Sequence, residues 1–139
     1  MPSCLEPGLS FVKLAVNDPE AATAFYKAVL GLEVAVRING GTGENAFHEY
    51  VLTRPERGAA VSNLLLMHYY NRPPSQAADV TIGFYVPDVA EALAIALASG
   101  ASVVTPVTDL PEQGLRLCFF RDPEGYTVEL LELLRPAGA

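Results

Sequence analysis

The stretch that decides the fold is Asp-Pro-Glu-Gly-Tyr-Thr-Val-Glu-Leu, at residues 122–130. Pro123 fixes the backbone angle φ and Gly125 accepts a left-handed backbone, which together predict a tight turn. Apolar residues flank this turn on both sides, so we predict the tip of a β-hairpin. The second strand of the hairpin places one carboxylate, Glu129, among apolar neighbours. Such a carboxylate needs a partner, a cavity or a metal, because burying it alone is costly.

The composition places limits on the partners of the protein. Half of the 139 residues are hydrophobic and 18% are charged, which excludes a disordered chain. Sixteen acidic against nine basic residues give a net charge of −7, which argues against nucleic acid as a partner and slightly favours neutral or cationic ligands. No apolar run reaches the ~18 residues of a membrane span, and the first residues lack the pattern of a signal peptide. We therefore expect a cytoplasmic protein with no membrane partner.

The hairpin belongs to a unit that occurs twice in the chain. The first copy begins with an alternating strand at 11–16, followed by a helix over 20–30 that Asp18 caps and Gly31 ends. The second copy repeats this order from residue 81, and each copy reads as βαβββ. The chain is thus expected to be one domain over 1–139, made of modules at about 9–70 and 80–134 with a linker at 71–79. We predict an α+β fold in which the two βαβββ modules form a cupped, mostly antiparallel sheet.

Three motifs in this order resemble the vicinal oxygen chelate superfamily, which includes glyoxalase I, extradiol dioxygenases, methylmalonyl-CoA epimerase and the fosfomycin- and bleomycin-resistance proteins. They are Val-Asn-Asp at 16–18, Phe-Tyr at 25–26 with Leu-Gly-Leu at 30–32, and Asp-Pro-Glu-Gly at 122–125 with Glu-Leu at 129–130. The resemblance covers about residues 9–134. It implies the glyoxalase/bleomycin-resistance fold and a homodimer.

Metal-dependent members of that superfamily hold a divalent ion on the cup face of their strands, which is the sheet face opposite the helix. Carried over to this chain, the four ligand positions fall on Phe11, on Leu65 or a neighbour, on Thr81 and on Glu129. Phenylalanine cannot bind a divalent metal, and a catalytic metal site usually needs three protein ligands. The resemblance therefore implies a metal-depleted member, for which we expect no cofactor and a cup that serves as a binding cavity, as in the bleomycin-resistance branch.

We expect the ligand-binding residues to lie on the cup face or in the hairpin strand that faces the strand of Glu129. They are Phe11, Lys13, Leu65, Met67, Thr81, Tyr85, Arg116 and Glu129. Glu129 is also the candidate catalytic residue. Glu129 would act as a general base or as an anchor for a cationic or hydroxylated ligand. Arg116, in the strand that faces that of Glu129, would neutralise this carboxylate or bind an anionic group.

The sequence is compatible with three functions. The leading one is binding of a small organic molecule without a metal, for sequestration or for an uncharacterised lyase or isomerase reaction. The second is a metal-dependent lyase or dioxygenase with displaced ligands, Glu129, His68 and His48, although strand alternation turns His68 away from the cup position of Leu65. The third is a structural or regulatory interaction protein whose cup is filled by protein side chains.

Overall fold

The computed structural model describes residues 8–57 and 63–135. Each half of the chain forms one strand, one helix and three further strands. The first half contains β1 (Phe11–Ala15), α1 (Pro19–Leu30), β2 (Glu33–Gly40), β3 (Phe47–Thr53) and β4 (Asn63–Tyr69), with single 3₁₀ turns at Gly43–Asn45 and Pro55–Arg57. The second half contains β5 (Thr81–Tyr85), α2 (Val89–Ala98), β6 (Ser102–Leu110), β7 (Leu115–Arg121) and β8 (Thr127–Leu133).

Both helices begin where their capping residues predict. The Asp18 side chain accepts a hydrogen bond of 3.0 Å from the backbone N–H of Ala21, and Pro19 occupies the first turn of α1. Gly31 ends α1 with a left-handed φ of 67°. Asp88 caps α2 in the same way. No helix in the described part of the chain is long and apolar enough to cross a membrane.

The strands form two four-stranded sheets of the same topology. Sheet 1 has the order β1-β4-β3-β2, and sheet 2 has the order β5-β8-β7-β6. In each sheet the first strand pairs in parallel with the last strand of its module, and the other pairs are antiparallel. This arrangement confirms the predicted α+β fold of two βαβββ modules with mostly antiparallel sheets.

The two modules share one hydrophobic core, built from the helices and the sheet faces that they cover. Phe25 of α1 packs edge-on against Phe120 of β7, with ring centroids 6.0 Å apart. Tyr26 of α1 donates a hydrogen bond of 2.5 Å to the buried carboxylate of Asp122. These contacts join the helix of the first module to the last hairpin of the second.

The turn that decides the fold also docks onto the first module. The carboxylate of Glu124 accepts hydrogen bonds from the backbone N–H groups of Asn17 (2.9 Å) and Asp18 (3.0 Å). The hydroxyl of Tyr126 donates to the carbonyl oxygen of Ala15 at 2.8 Å. The stretch at 122–130 therefore forms the predicted hairpin tip and holds the start of α1 in place.

Candidate ligand-binding site on the open sheet faces

Each sheet has one face against the helices, the helix face, and one face directed away from them, the open face. Strand alternation assigns the residues. In sheet 1, Leu14 and Leu66 are buried on the helix face, so Lys13 and Leu65 lie on the open face. In sheet 2, Val128 is fully buried on the helix face, so the next residue, Glu129, lies on the open face. The open faces correspond to the cup of the sequence prediction.

Most of the predicted ligand-binding residues lie on these open faces. Sheet 1 contributes Phe11 and Lys13 from β1, and Leu65 and Met67 from β4. Sheet 2 contributes Thr81 and Tyr85 from β5, and Glu129 from β8. Tyr85 is 64% exposed and Phe11 is 50% exposed, whereas Leu65 and Met67 are buried. The open faces thus combine buried aliphatic side chains with accessible aromatic ones.

Arg116 is the exception, because it lies on the helix face of sheet 2. It alternates in phase with Cys118 and Phe120, which are both fully buried there. Its guanidinium binds Asp109 (Nε–Oδ1, 2.6 Å) and Glu132 (Nη1–Oε2, 3.5 Å). The hydrogen bond from Arg116 holds the pKa of the Asp109 carboxyl below its usual range. The expectation that Arg116 neutralises Glu129 is therefore wrong.

Glu129 is placed in β8 with space beside it. It lies opposite Phe119 of β7 and pairs with Gly83 of the edge strand β5. A β-carbon added to Gly83 would lie 4.0 Å from Oε2 of Glu129, so the absence of a side chain leaves room next to this carboxylate. Within residues 8–57 and 63–135, no side chain or backbone group forms a hydrogen bond or ion pair with the side-chain carboxylate of Glu129. The carboxylate is available to a ligand.

A second carboxylate on the open face of sheet 1 was not predicted. Glu49 of β3 is only 3% exposed, and its Oε1 lies 3.1 Å from Nζ of Lys13. β3 pairs with β4 so that Glu49 lies opposite Met67, which fixes its place on the open face. Strand alternation relative to Met67 is the sequence signal that identifies it, once the pairing of β3 with β4 is known.

The two histidines lie on the helix face of sheet 1, directly opposite each other in β3 and β4. The Nδ1 of His68 is 3.0 Å from the carbonyl oxygen of Val16, so it carries the proton and donates. The Nδ1 of His48 is 2.7 Å from the hydroxyl of Tyr70, which itself donates to Asn39 at 3.0 Å. His48 also donates through Nδ1, because the tyrosine hydroxyl has already given its proton away.

The donor set does not fit a divalent metal at the positions implied by the family resemblance. Phe11 and Leu65 have no donor atom, and the Thr81 hydroxyl is a poor substitute for imidazole. His48 and His68 do not join Glu129, because they lie on the helix face of sheet 1 and Glu129 lies on the open face of sheet 2. Among the described residues, no three His, Cys, Asp or Glu side chains are close enough to hold an ion together.

A cavity of about 290 Å³ lies between the first strands of the two modules. Val12 of β1 and Ile82 of β5 line it, and Thr81 and Gly83 border it from the same edge strand. Its volume is at the lower end of the range for small-molecule sites. Val12 and Ile82 lie on the helix faces of their strands, whereas the Glu129 carboxylate lies on the open face, so this cavity is on the other side of sheet 2 from Glu129.

Comparison with known proteins agrees with this architecture. The model of the Glyoxalase/Bleomycin resistance protein/Dioxygenase superfamily matches residues 8–130. A glyoxalase family protein from Bacillus cereus superposes with a TM-score of 0.77 at 23% identity, over 91% of this chain and 94% of that chain. A glyoxalase I mutant from Zea mays gives a TM-score of 0.73 at 18% identity, over 88% of this chain and 45% of that chain. TioX from Micromonospora sp. ML1 gives 0.61 at 25% identity, over 92% of this chain and 100% of that chain. No curated protein matches the chain significantly.

Proposed function

The chain belongs to the Glyoxalase/Bleomycin resistance protein/Dioxygenase superfamily, and on that premise we propose that it binds a small organic molecule on its open sheet faces without a divalent metal. One observation carries the proposal. The strand positions that hold the metal in metal-dependent relatives are occupied by Phe11, Leu65 and Thr81, while Glu129 remains as a carboxylate without a partner among the described residues. Such a surface offers apolar contact and one polar anchor, as small-molecule sites usually do.

The chemistry of the open faces indicates the type of ligand. Phe11 and Tyr85 provide accessible aromatic rings, and Met67 provides a polarisable neighbour. Glu129 accepts hydrogen bonds, so a ligand with a hydroxyl or a cationic group fits beside Gly83. The net charge of −7 favours neutral and cationic molecules over anions. If the ligand is turned over, Glu129 is the general base of a lyase or isomerase reaction.

We also propose that the protein acts as a homodimer. Large apolar side chains on the open faces are exposed in the single chain: Phe11, Val36, Ile38, Tyr85 and Leu133. Monomeric proteins rarely leave large apolar patches exposed to solvent. A second copy that covers part of these faces would leave the remainder as a closed pocket.

A thermal-shift screen tests the binding function. The protein, kept in chelator, is heated with neutral, cationic and anionic small molecules, and a ligand at 100 times its Kd adds about 2.7 kcal/mol of stability. Glu129→Gln should weaken binding of cationic or hydroxylated hits about tenfold, because it removes a charge-assisted hydrogen bond. Glu112→Gln, at an exposed position in the β6–β7 turn, is the matched control and should leave binding unchanged. Stabilisation that requires an added divalent ion would contradict the proposal.

A further inference from the structure

The ion pair of Lys13 and Glu49 spans the central part of the open face of sheet 1. Lys13 of β1 is in register with Leu65 of β4, and Glu49 of β3 is in register with Met67 of β4. Because β4 separates β1 from β3, the lysine side chain must cross β4 to bring its Nζ within 3.1 Å of Glu49 Oε1. The pair therefore lies over two of the predicted ligand-binding residues.

Glu49 fixes the position of the ammonium group. The carboxylate is 3% exposed, and its Oε1 has no hydrogen bond within the described parts of the chain, so its contact with Lys13 is ionic and not a well-aligned hydrogen bond. A buried carboxylate without a counter-charge is strongly unfavourable. Lys13 is thus held close to Glu49 by charge, while the directions of its N–H groups are not fixed by that contact.

The ammonium group has unused hydrogen-bonding capacity. The Lys13 side chain is 43% exposed, and its Nζ lies 5.8 Å from the centroid of the Phe11 ring. Apart from the Glu49 carboxylate, no hydrogen-bond acceptor for its N–H groups is found among residues 8–57 and 63–135. Each ammonium has three N–H donors, so a ligand oxygen in contact with Phe11 can accept from Lys13.

We infer that Lys13 and Glu49 select an uncharged aromatic molecule that carries an acceptor oxygen, such as a ketone, aldehyde or ester. This inference rests on the proposed binding function and specifies its ligand class. Lys13 donates to the oxygen and Phe11 contacts the ring. Glu49 cancels the charge of the lysine, so a carboxylate ligand placed there is repelled by Glu49 and a cation is repelled by Lys13.

A matched series of probes measures this selection. The three probes are 2-ethylnaphthalene, 2-acetylnaphthalene and 2-naphthoate, which differ only in the group on the ring, titrated in chelator. The wild-type protein should bind the ketone about tenfold more tightly than the hydrocarbon and more tightly than the carboxylate. In Glu49→Gln the lysine charge is no longer cancelled, so affinity for 2-naphthoate should rise about tenfold. Glu112→Gln should change none of these affinities.

Loss of the lysine is tested in a background that still folds. Lys13→Met alone leaves Glu49 buried without a counter-charge, so the double variant Lys13→Met with Glu49→Gln is used. It should bind the ketone and the hydrocarbon equally, whereas Lys27→Met, which removes the same charge from the exposed surface of α1, should keep the preference for the ketone. An unchanged ketone preference in the double variant, or an unchanged affinity of Glu49→Gln for 2-naphthoate, would overturn the inference.

Chemical protection separates this inference from the proposed function. The sequence contains two lysines, Lys13 and Lys27, so acylation detected by mass spectrometry compares the site with an internal reference. Bound 2-acetylnaphthalene should protect Lys13 and leave Lys27 reactive. Binding without protection of Lys13, or binding of other screened molecules but of no naphthalene, would overturn this inference alone. Failure of every screened molecule to bind would overturn the proposed function as well.

Discussion

The hydroxyl of Tyr26 and the carboxylate of Asp122 form a buried polar contact between the two modules. Asp122 is 5% exposed and also accepts hydrogen bonds from the backbone N–H groups of Glu124 and Tyr126, each at 2.9 Å. These three bonds satisfy a carboxylate that would otherwise be costly to bury. The contact is therefore structural, and its loss should affect folding and not ligand choice.

Tyr26→Phe should lower the free energy of unfolding by about 1.5–3 kcal/mol, because it removes a buried hydrogen bond to a charged group without changing the ring. Urea denaturation measures the change. Tyr85→Phe, at a position that is 64% exposed, is the control and should have little effect. Equal stability of the two variants would show that the contact contributes nothing.

Asp122 should also make stability depend on pH. Burial raises the pKa of Asp122 above its usual range, and the hydrogen bonds from Tyr26, Tyr126 and Glu124 offset this only in part. An acid whose pKa is raised in the folded state holds its proton there at a pH at which the unfolded chain has lost it, so its contribution falls as pH rises through the folded pKa.

The stability of the wild type relative to Asp122→Asn should therefore increase as the pH falls from 7 through the folded pKa of Asp122, and level off below the ordinary aspartate pKa of about 3.9. Chemical denaturation of both proteins at a series of pH values measures the difference. A difference that decreases over the same interval would contradict this assignment.

Single positions on the open faces differ in how far the sequence alone could identify them. Glu129 was predictable because its turn is local and its strand is apolar. Glu49 was not, because its burial depends on the pairing of β3 with β4, and its counter-charge comes from β1. The facing of Arg116 could not be predicted, because only the burial of Cys118 and Phe120 reveals which side of β7 meets the helices.

At the scale of secondary-structure elements, the loop before β3 provides a test of backbone strain. Gly41 and Gly43 both have left-handed φ angles, of 68° and 59°. A β-carbon at Gly41 would lie 2.0 Å from the backbone oxygen of Asn45, whereas one at Gly43 would meet nothing within 4 Å. The first glycine is required for space as well as for conformation.

Gly43→Ala should therefore cost about 1–2 kcal/mol, the usual penalty for an alanine in the left-handed region. Gly41→Ala should cost clearly more, because the loop must also move to relieve the overlap. Thermal melts of the two variants measure the order. A smaller loss of stability in Gly41→Ala than in Gly43→Ala would contradict the described loop.

Most helices and strands could be predicted from local sequence signals. Where the observed bounds differ from the sequence pattern, the difference has an identifiable cause. The helix predicted at 20–30 is observed as Pro19–Leu30, because caps and glycine stops are encoded within a few residues. Strand β6 extends over Ser102–Leu110. This strand contains two register irregularities, and Asp109 near its end pairs across to Arg116. With these features β6 is longer than its composition indicates. Pro106 is tolerated because β6 is an edge strand.

At the scale of the whole molecule, the internal repeat was sufficient to predict the fold, because a single βαβββ module cannot bury its helix face alone. The sequence could not predict how the modules share their core. Contacts such as Phe25 with Phe120 join residues far apart in the chain and have no local signal.

The proposed homodimer leads to a prediction at this scale. Leu133 ends β8 on the open face and is 69% exposed, so Leu133→Arg places a charge in the proposed interface. Sedimentation analysis should show a dimer for the wild type and a monomer for this variant. Leu97→Arg, on the exposed surface of α2, should remain dimeric. A monomeric wild type would contradict the proposed dimer.

The central claim is that side chains, and not a metal, provide the binding chemistry of the open faces. The most direct test titrates 2-acetylnaphthalene into the protein before and after metal is stripped, with elemental analysis of both samples. We predict the same affinity in both samples and no stoichiometric metal in either. Binding that disappears on stripping and returns with about one divalent ion per chain, and that Glu129→Gln prevents, would contradict the account.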